Sequence, residues 1–342
     1  MNIKAKLTGV ITALICATNV VAVMPLNVGA QTDTYGILTY EAADADGNGV
    51  NDHIVITDCD ESATKADIPK EIDGLPVTVI GEKAFSFCEE LEEVTIPYGI
   101  KTIGYAAFCY CTSVKELIIP DSVTTIESQA FSCCQLVTDI VIPDSVTSFG
   151  THIFFQCFAL ERVTLPESFT EIGTALFFNC WRLKSYDISP NITKIGNIAF
   201  ASCINLESIV IPKNVTYIGD GAFYDCPNLQ SVTVYNPACE IFDGESALSE
   251  TAVIYGYENS TAQAYAEKYN KTFVSLGEYS ENIIKGDVNY DSVVNLYDAI
   301  DIARYIMDIK AFSDEQMNIA DYNSDGDVNL YDVIEIARYM MS

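Results

Sequence analysis

Residues 117–134 read LIIPDSVTTIESQAFSCC, and residues 209–226 read IVIPKNVTYIGDGAFYDC. Each begins with a short alternating apolar run, turns at Pro120 or Pro212, and returns through a segment that ends in Ala-Phe-x-x-Cys. On either side the phenylalanine recurs every 23 residues at Phe85, Phe108, Phe131, Phe154, Phe177, Phe200 and Phe223. A cysteine follows in the same phase at Cys88, Cys111, Cys134, Cys157, Cys180, Cys203 and Cys226. Ile80, Ile103, Ile126, Phe149, Ile172, Ile195 and Ile218 form a third column. Self-similarity at a fixed period outranks any local reading of secondary structure.

Each repeat then reads as one brief strand, a proline-directed turn and a return segment. Within a strand such as Val94-Thr95-Ile96, the first and third residues point inward because side chains alternate across a strand. One such unit cannot bury its apolar face alone, so copies must stack with parallel strands about 4.8 Å apart. The expected fold is a repeat solenoid of leucine-rich-repeat type, with short parallel strands, a 23-residue period and a core of Phe, Ile and Cys columns. Periodic cysteines mark one structural position repeated, so each is read as a small buried hydrophobe and not as half of a disulfide. Local irregularity is expected at Ser189, where the proline is displaced to Pro190, and at Glu127, which replaces the turn glycine.

The pattern over residues 68–234 resembles the BspA-type, or Treponema-type, leucine-rich repeats of secreted bacterial surface proteins. The terminal IYGYENSTAQAYAEKY, residues 254–269, looks like that family's closing segment. The resemblance implies adhesion, or binding of a protein or glycan, and names no ligand.

From Asp287 the text changes. Asp287, Asn289, Asp291, Asn295 and Asp298 place oxygens at loop positions 1, 3, 5, 9 and 12, with the carbonyl of Val293 at 7. Shifted by 34 residues, Asp321, Asn323, Asp325, Asn329 and Asp332 repeat the spacing, with the carbonyl of Asp327 at 7. A large hard cation needs six or seven oxygens, and a tight loop offering alternate side chains supplies them, so two calcium ions are expected. The segments that follow, 294–307 and 328–341, agree at 11 of 14 positions and read as helices, with Ile300, Ala303 and Ile306 on one helical face. Between them Ser313-Asp314-Glu315-Gln316 reads as a capping box opening a short helix. Two loop-helix units closed by Asp, without entering helices, resemble a dockerin, a small all-α calcium-loop module. That resemblance implies a cohesin module of a scaffoldin as partner and a cellulosome as setting. It carries the contact positions to Leu296, Tyr297 and Arg304 in the first unit and to Leu330, Tyr331 and Arg338 in the second, and the duplication implies two equivalent docking modes. Ser292 stands where the family has glycine.

Composition sets the boundaries. Lys4 and Lys6 precede the apolar run 7–24, and Val28-Gly29-Ala30 offers a cleavage site, so residues 1–30 read as an export signal. No later stretch reaches the roughly 18 apolar residues of a membrane span. With 48 acidic against 18 basic residues and a net charge of −30, the chain repels polyanions, which excludes nucleic acid as a partner. The expected organisation is an export signal (1–30), an N-terminal β-hairpin cap (31–67), the solenoid (68–242), a C-terminal cap (243–276), a linker (277–284) and the dockerin-like module (285–342). Catalysis finds little footing. His53 and His152 are the two histidines, and a glycosidase would need two opposed carboxylates that the repeat gives no break to build. Phe155, Phe158, Phe178 and Trp181, aromatic where other repeats carry small or polar residues, are read as a candidate ligand-contact surface. The column Thr95, Ile118, Val141, Thr164, Asp187, Val210 and Thr233 is expected to face outward from the sheet. Asp44, Asp46, Asn48 and Asp52 resemble half a calcium loop, but Val55 takes the closing place, so a polar hairpin turn is favoured there.

Overall fold

The computed structural model describes residues 33–279, 284–288, 294–307, 312 and 314–341. The export signal read at 1–30 lies outside them. Residues 33–279 wind into a β-solenoid whose rungs repeat every 23 residues. Leu38–Ala43 pairs antiparallel with His53–Cys59, which in turn lies parallel to Leu75–Ile80, so a hairpin joins the first rung through a shared strand. At the other end helix α1, Thr261–Lys268, is capped by Ser260 and buries Ala262, Tyr265 and Ala266 over the last rungs.

Three sides make each rung. The first carries strands of three or four residues, as where Ser208–Ile211, Ser231–Val234, Val253–Gly256 and Phe273–Ser275 pair in parallel. On the second, two-residue strands pair in line: Thr102–Ile103 with Thr125–Ile126, and Glu171–Ile172 with Lys194–Ile195. The third side is the Ala-Phe-x-x-Cys return, which is no strand yet is laddered as well. The N–H groups of Lys83, Phe85 and Phe87 donate to the carbonyls of Tyr105, Ala107 and Cys109 in the next rung at 2.7–2.8 Å, while those of Ala84, Ser86 and Cys88 close turns within the rung. This alternation requires left-handed backbone at two places per rung: Lys83 and Phe87, Ala106 and Tyr110, Gln129 and Cys133, and onward to Gly221 and Asp225. A left-handed non-glycine residue costs roughly 1 kcal/mol or more, and the inter-rung bonds at every turn offset it.

The Phe column is wholly buried, with successive rings stacked at centroid distances of 4.9 to 6.2 Å. The cysteines beside it are free thiols with a definite bond. Cys111 Sγ donates to the carbonyl of Phe85 at 3.1 Å, and Cys134, Cys157, Cys180, Cys203 and Cys226 repeat this one rung on. That carbonyl already accepts the N–H of Cys88, so the thiol meets its second lone pair. Burial pushes these thiols up, Cys226 to about 12.

The ladders are interrupted, and not everywhere the sequence expects. Residues 185–188, before the displaced Pro190, form no strand. Glu127 interrupts nothing: Thr125–Ile126 pairs on both sides, and the Glu127 carboxylate accepts the N–H of Tyr105 at 2.8 Å. Ile118 and Asp187, expected at strand centres, sit in rungs without that strand. The unforeseen break lies between Ser148–Phe149 and Glu171–Ile172, which belong to separate sheets. There Phe149 replaces isoleucine and its ring packs on Phe169 at 4.9 Å, a bulk that holds the two rungs apart. The turn glycines register the gap. A Cβ added to Gly150 or Gly196 would lie 2.2 or 2.7 Å from backbone nitrogen of the preceding rung, whereas at Gly173 the nearest atom is 3.9 Å away.

Two outcomes follow from this packing. Gly150→Ala and Gly196→Ala should each cost about 2–3 kcal/mol by overpacking, while Gly173→Ala stays within about 0.5 kcal/mol, as read by denaturant titration. Equal losses at all three would contradict the gap. Iodoacetamide at pH 8 should leave the ladder cysteines of the folded chain unmodified by mass spectrometry and label them after unfolding, because the thiolate is the reacting form.

Candidate docking and calcium site

Helices α2, Leu296–Ile306, and α4, Leu330–Met340, open in the same way. Asn295 and Asn329 are extended N-caps, and Asp298 and Asp332 return a bond to the cap N–H at 2.8 and 2.9 Å, completing a capping box in each unit. With α3, Asp314–Ala320, they enclose a core of Val288, Ala299, Ile302, Ile319, Ala320 and Ile336. The buried face of α2 is Asp298, Ala299, Asp301 and Ile302; Ile300 and Ile306 are exposed. Ser313, the cap expected for α3, lies outside the described residues.

The second loop is described throughout. Asp321 accepts from Asp325 N and Gly326 N, Asn323 from Asp325 N, and Asp325 from Asp327 N, all at 2.9–3.1 Å, with Gly326 left-handed at φ 95°. Asp332, wholly buried, accepts from Asn323 N and Asn329 N. Asp332 is a buried carboxylate answered by backbone N–H groups, and a buried charge needs a countercharge, which a hard cation would supply; the carboxylates of Asp321, Asp325 and Asp332 do not all lie within 4.8 Å of one another. Asn329 is committed elsewhere: its Oδ1 accepts Tyr331 N and its Nδ2 donates to the carbonyl of Asp327. In the first loop Asp287 and Asp298 are buried and Asn295 caps α2, while Asn289, Asp291 and Val293 lie outside the described residues.

Leu296, Tyr297, Leu330 and Tyr331 are 60, 63, 62 and 69 % exposed, which rules out packing inside the module. Arg304 pairs with Asp301 at 3.5 Å, and Arg338 pairs with Glu335.

On the repeats the aromatic group is only partly a surface. Phe155 is buried in a satellite cluster with Cys133 and Ala175, and it stacks on half-buried Phe178 at 4.8 Å and 6°. Half-buried Phe158 stacks on Trp181 at 4.1 Å. In this two-ring stack each ring covers one face of the other, and Trp181 remains 41 % exposed. Outward residues of the sheet column include Ile118 at 69 % and Val141 at 62 % exposure. A cleft of about 320 Å³ is lined by Tyr105, Ile126, Glu127, Ser128, Ser148, Phe149 and Gly150, and Glu127 is its single carboxylate. His152 is half-buried, which lowers its pKa, and His53 bonds Asp52 at 2.6 Å.

The hairpin loop 44–52 is a polar turn, and among the described residues it is the place where three carboxylates, those of Asp44, Asp46 and Asp52, offer oxygens within 4.8 Å of one another. Four of its bonds match the 321–332 loop: Asn48 N to Asp44 and Asp46, Gly49 N to Asp44, and Val50 N to Asn48. The Gly49 N–H holds the Asp44 carboxyl below its usual range, and His53 does so for Asp52. The Asp-x-Asp-x-Asn-Gly spacing was the available signal.

With this geometry established, known proteins place both parts. The BspA type leucine rich repeat region matches in six copies, over residues 60–180 and 126–251, and the dockerin type I domain matches 285–341. The chain belongs to the BspA-type leucine-rich repeat family and carries a C-terminal dockerin type I domain. A leucine-rich repeat protein from Bacteroides ovatus is similar in fold, at 23 % identity and a TM-score of 0.50 over 73 % of this chain and 79 % of that one. One from T. pallidum aligns at 23 % identity and a TM-score of 0.42 over 73 % of this chain and all of its own, and one from Bacteroides capillosus at 32 % and 0.32 over 39 % and 96 %. No curated protein matches the chain. Dockerin type I domains bind calcium, and no helix among the described residues is long and apolar enough to cross a membrane.

Calcium added to the chelator-treated chain should raise the melting temperature of the C-terminal transition, since the ion binds folded loops only, with about 2.7 kcal/mol gained at a hundredfold excess over Kd. Asp321→Ala with Asp325→Ala should remove the second loop's share. No shift at millimolar calcium would overturn the assignment.

Proposed function

We propose that the chain is an exported, non-catalytic component of an extracellular, cellulosome-type assembly. Its repeats bind a protein or glycan, and its C-terminal module binds two calcium ions and docks onto a cohesin of a scaffoldin. The observation that carries the docking is the pair of exposed Leu-Tyr steps, each set immediately after a capped acidic loop. In this reading calcium supplies the charge that holds the loop closed. The loop oxygens of Asp287, Asn289, Asp291 and Asp298, and of Asp321, Asn323, Asp325 and Asp332, are its ligands, with the carbonyls of Val293 and Asp327. Asn295 and Asn329 act as caps that start the helices presenting the Leu-Tyr steps. The division into signal (1–30), caps (31–67 and 243–276), solenoid (68–242), linker (277–284) and docking module (285–342) belongs to the same proposal.

For the repeats, the exposed Ile118 and Val141 favour a protein partner, while Trp181, stacked on Phe158 and 41 % exposed, keeps a glycan contact as the second reading. A dockerin-bearing enzyme is the competing reading. The single carboxylate in the cleft at Glu127 gives it no acid-base pair there.

A column carrying type I cohesin modules should retain the intact chain in calcium and release it in chelator. Leu296→Asp, Tyr297→Asp, Leu330→Asp and Tyr331→Asp together should abolish retention while the calcium-dependent rise in melting temperature persists, because a charge forced into a dry interface lacks a partner. Full retention of the fourfold variant would remove these residues from the contact surface. A chain ending at Tyr279 should lose the cohesin and keep whatever the repeats bind.

A further inference from the structure

Several large apolar residues of the docking module remain exposed without a role in the Leu-Tyr reading. Met307 and Met341 are 60 and 80 % exposed, and Ile300 and Ile334 are 38 and 37 % exposed. Their spacing is regular. At 3.6 residues per turn, Leu330, Tyr331, Ile334, Arg338 and Met341 fall within an arc of about 100° and run about 16 Å along the helix. The same five places in the first unit are Leu296, Tyr297, Ile300, Arg304 and Met307. Opposite this stripe lie Ala299, Ile302 and Ile336, which the module keeps for its own core.

The one charged member of each stripe is already answered. Arg304 is drawn to Asp301, whose side chain is largely buried, and Arg338 to Glu335, each one turn back on its own helix. Each arginine already has an acid on its own helix, and an exposed ion pair contributes little, so a further acid on another protein adds little to binding.

Resting on the docking proposed above, we propose that the contact surface is an apolar stripe along the whole helix, with Ile300 or Ile334 at its middle and Met307 or Met341 at its far end. The stripe selects a cohesin that presents an aliphatic and aromatic face, and the arginines contribute little. Unbranched methionine suits the end of such a stripe, since it adapts to irregular surface without leaving gaps.

The test is affinity of the full-length chain for a type I cohesin that binds it, measured by calorimetry in calcium. Because either unit can present its stripe, both are changed together. Met307→Gln with Met341→Gln, nearly isosteric and at exposed sites, should weaken binding at least tenfold, and Ile300→Ala with Ile334→Ala should do likewise. Arg304→Ala with Arg338→Ala should change affinity less than threefold, and raising salt from 0.05 to 0.5 M should also change it less than threefold. An unchanged affinity in the methionine pair, or a large loss in the arginine pair with steep salt dependence, would overturn the apolar stripe in favour of a charge-led contact. The calcium-dependent melting shift of each variant separates lost contact from lost fold. If the unaltered chain binds no type I cohesin, the docking reading itself fails, which is a different result from either.

Discussion

Every rung is held by the same constraint: the backbone of the Ala-Phe-x-x-Cys return must place alternate N–H groups toward the next rung and toward itself. A strand would send its N–H groups sideways only, and a helix would send them all inward. The return does neither, and left-handed residues at two fixed places per rung are what make the alternation possible. From this follow the close approach that only glycine allows at Gly150 and Gly196, the stacking of the Phe rings, and the need for a donor at the Phe carbonyl. Cysteine meets that need with a group small enough for the core and a weak proton to give, which alanine lacks.

Much of this was legible before any coordinates. A column of Phe or Cys in strict phase has few meanings, and the solenoid, its period and its inward residues could be read from it. The left-handed column could not, because Lys83, Gln129, His152 and Ile198 share no chemistry; the position constrains backbone and leaves the side chain to vary. The break at Phe149 was hidden for a related reason. A phenylalanine among isoleucines looks conservative, and its effect depends on Phe169 being opposite, a residue twenty positions on. Glu127 misled in the other direction, since a carboxylate in a glycine column looks disruptive until its bond to Tyr105 N is seen.

The docking module shows the same division. Loop spacing, duplication and the Leu-Tyr steps were plain in the text, because calcium loops restrict residue type at fixed intervals. Which apolar face of α2 is buried was not legible, because apolar residues lie on both sides of the helix: Ala299 and Ile302 for the core, Ile300 and Ile306 for the exterior. Asn295 and Asn329 carried two possible uses at loop position 9, and only the bonds to Tyr297 N and Tyr331 N show that they start helices. At the hairpin, the carboxylates of Asp44, Asp46 and Asp52, two and six residues apart, gather although Val55 takes the closing position.

The gap between the rungs of Phe149 and Ile172 has a consequence for how the repeats come apart. In a linear array each rung is stabilised by its two neighbours, so the whole behaves as a chain of couplings, and the weakest coupling sets the size of the cooperative unit. Here one second-side ladder ends and another begins, leaving the Phe stack, the return-side bonds and the first-side pairing of Asp139–Val141 with Arg162–Thr164 to carry the junction. One junction on, the first side lapses at residues 185–188 while Glu171–Ile172 and Lys194–Ile195 stay paired on the second. With the breaks staggered between sides, a tension applied along the axis meets at least one paired side at each of these rungs.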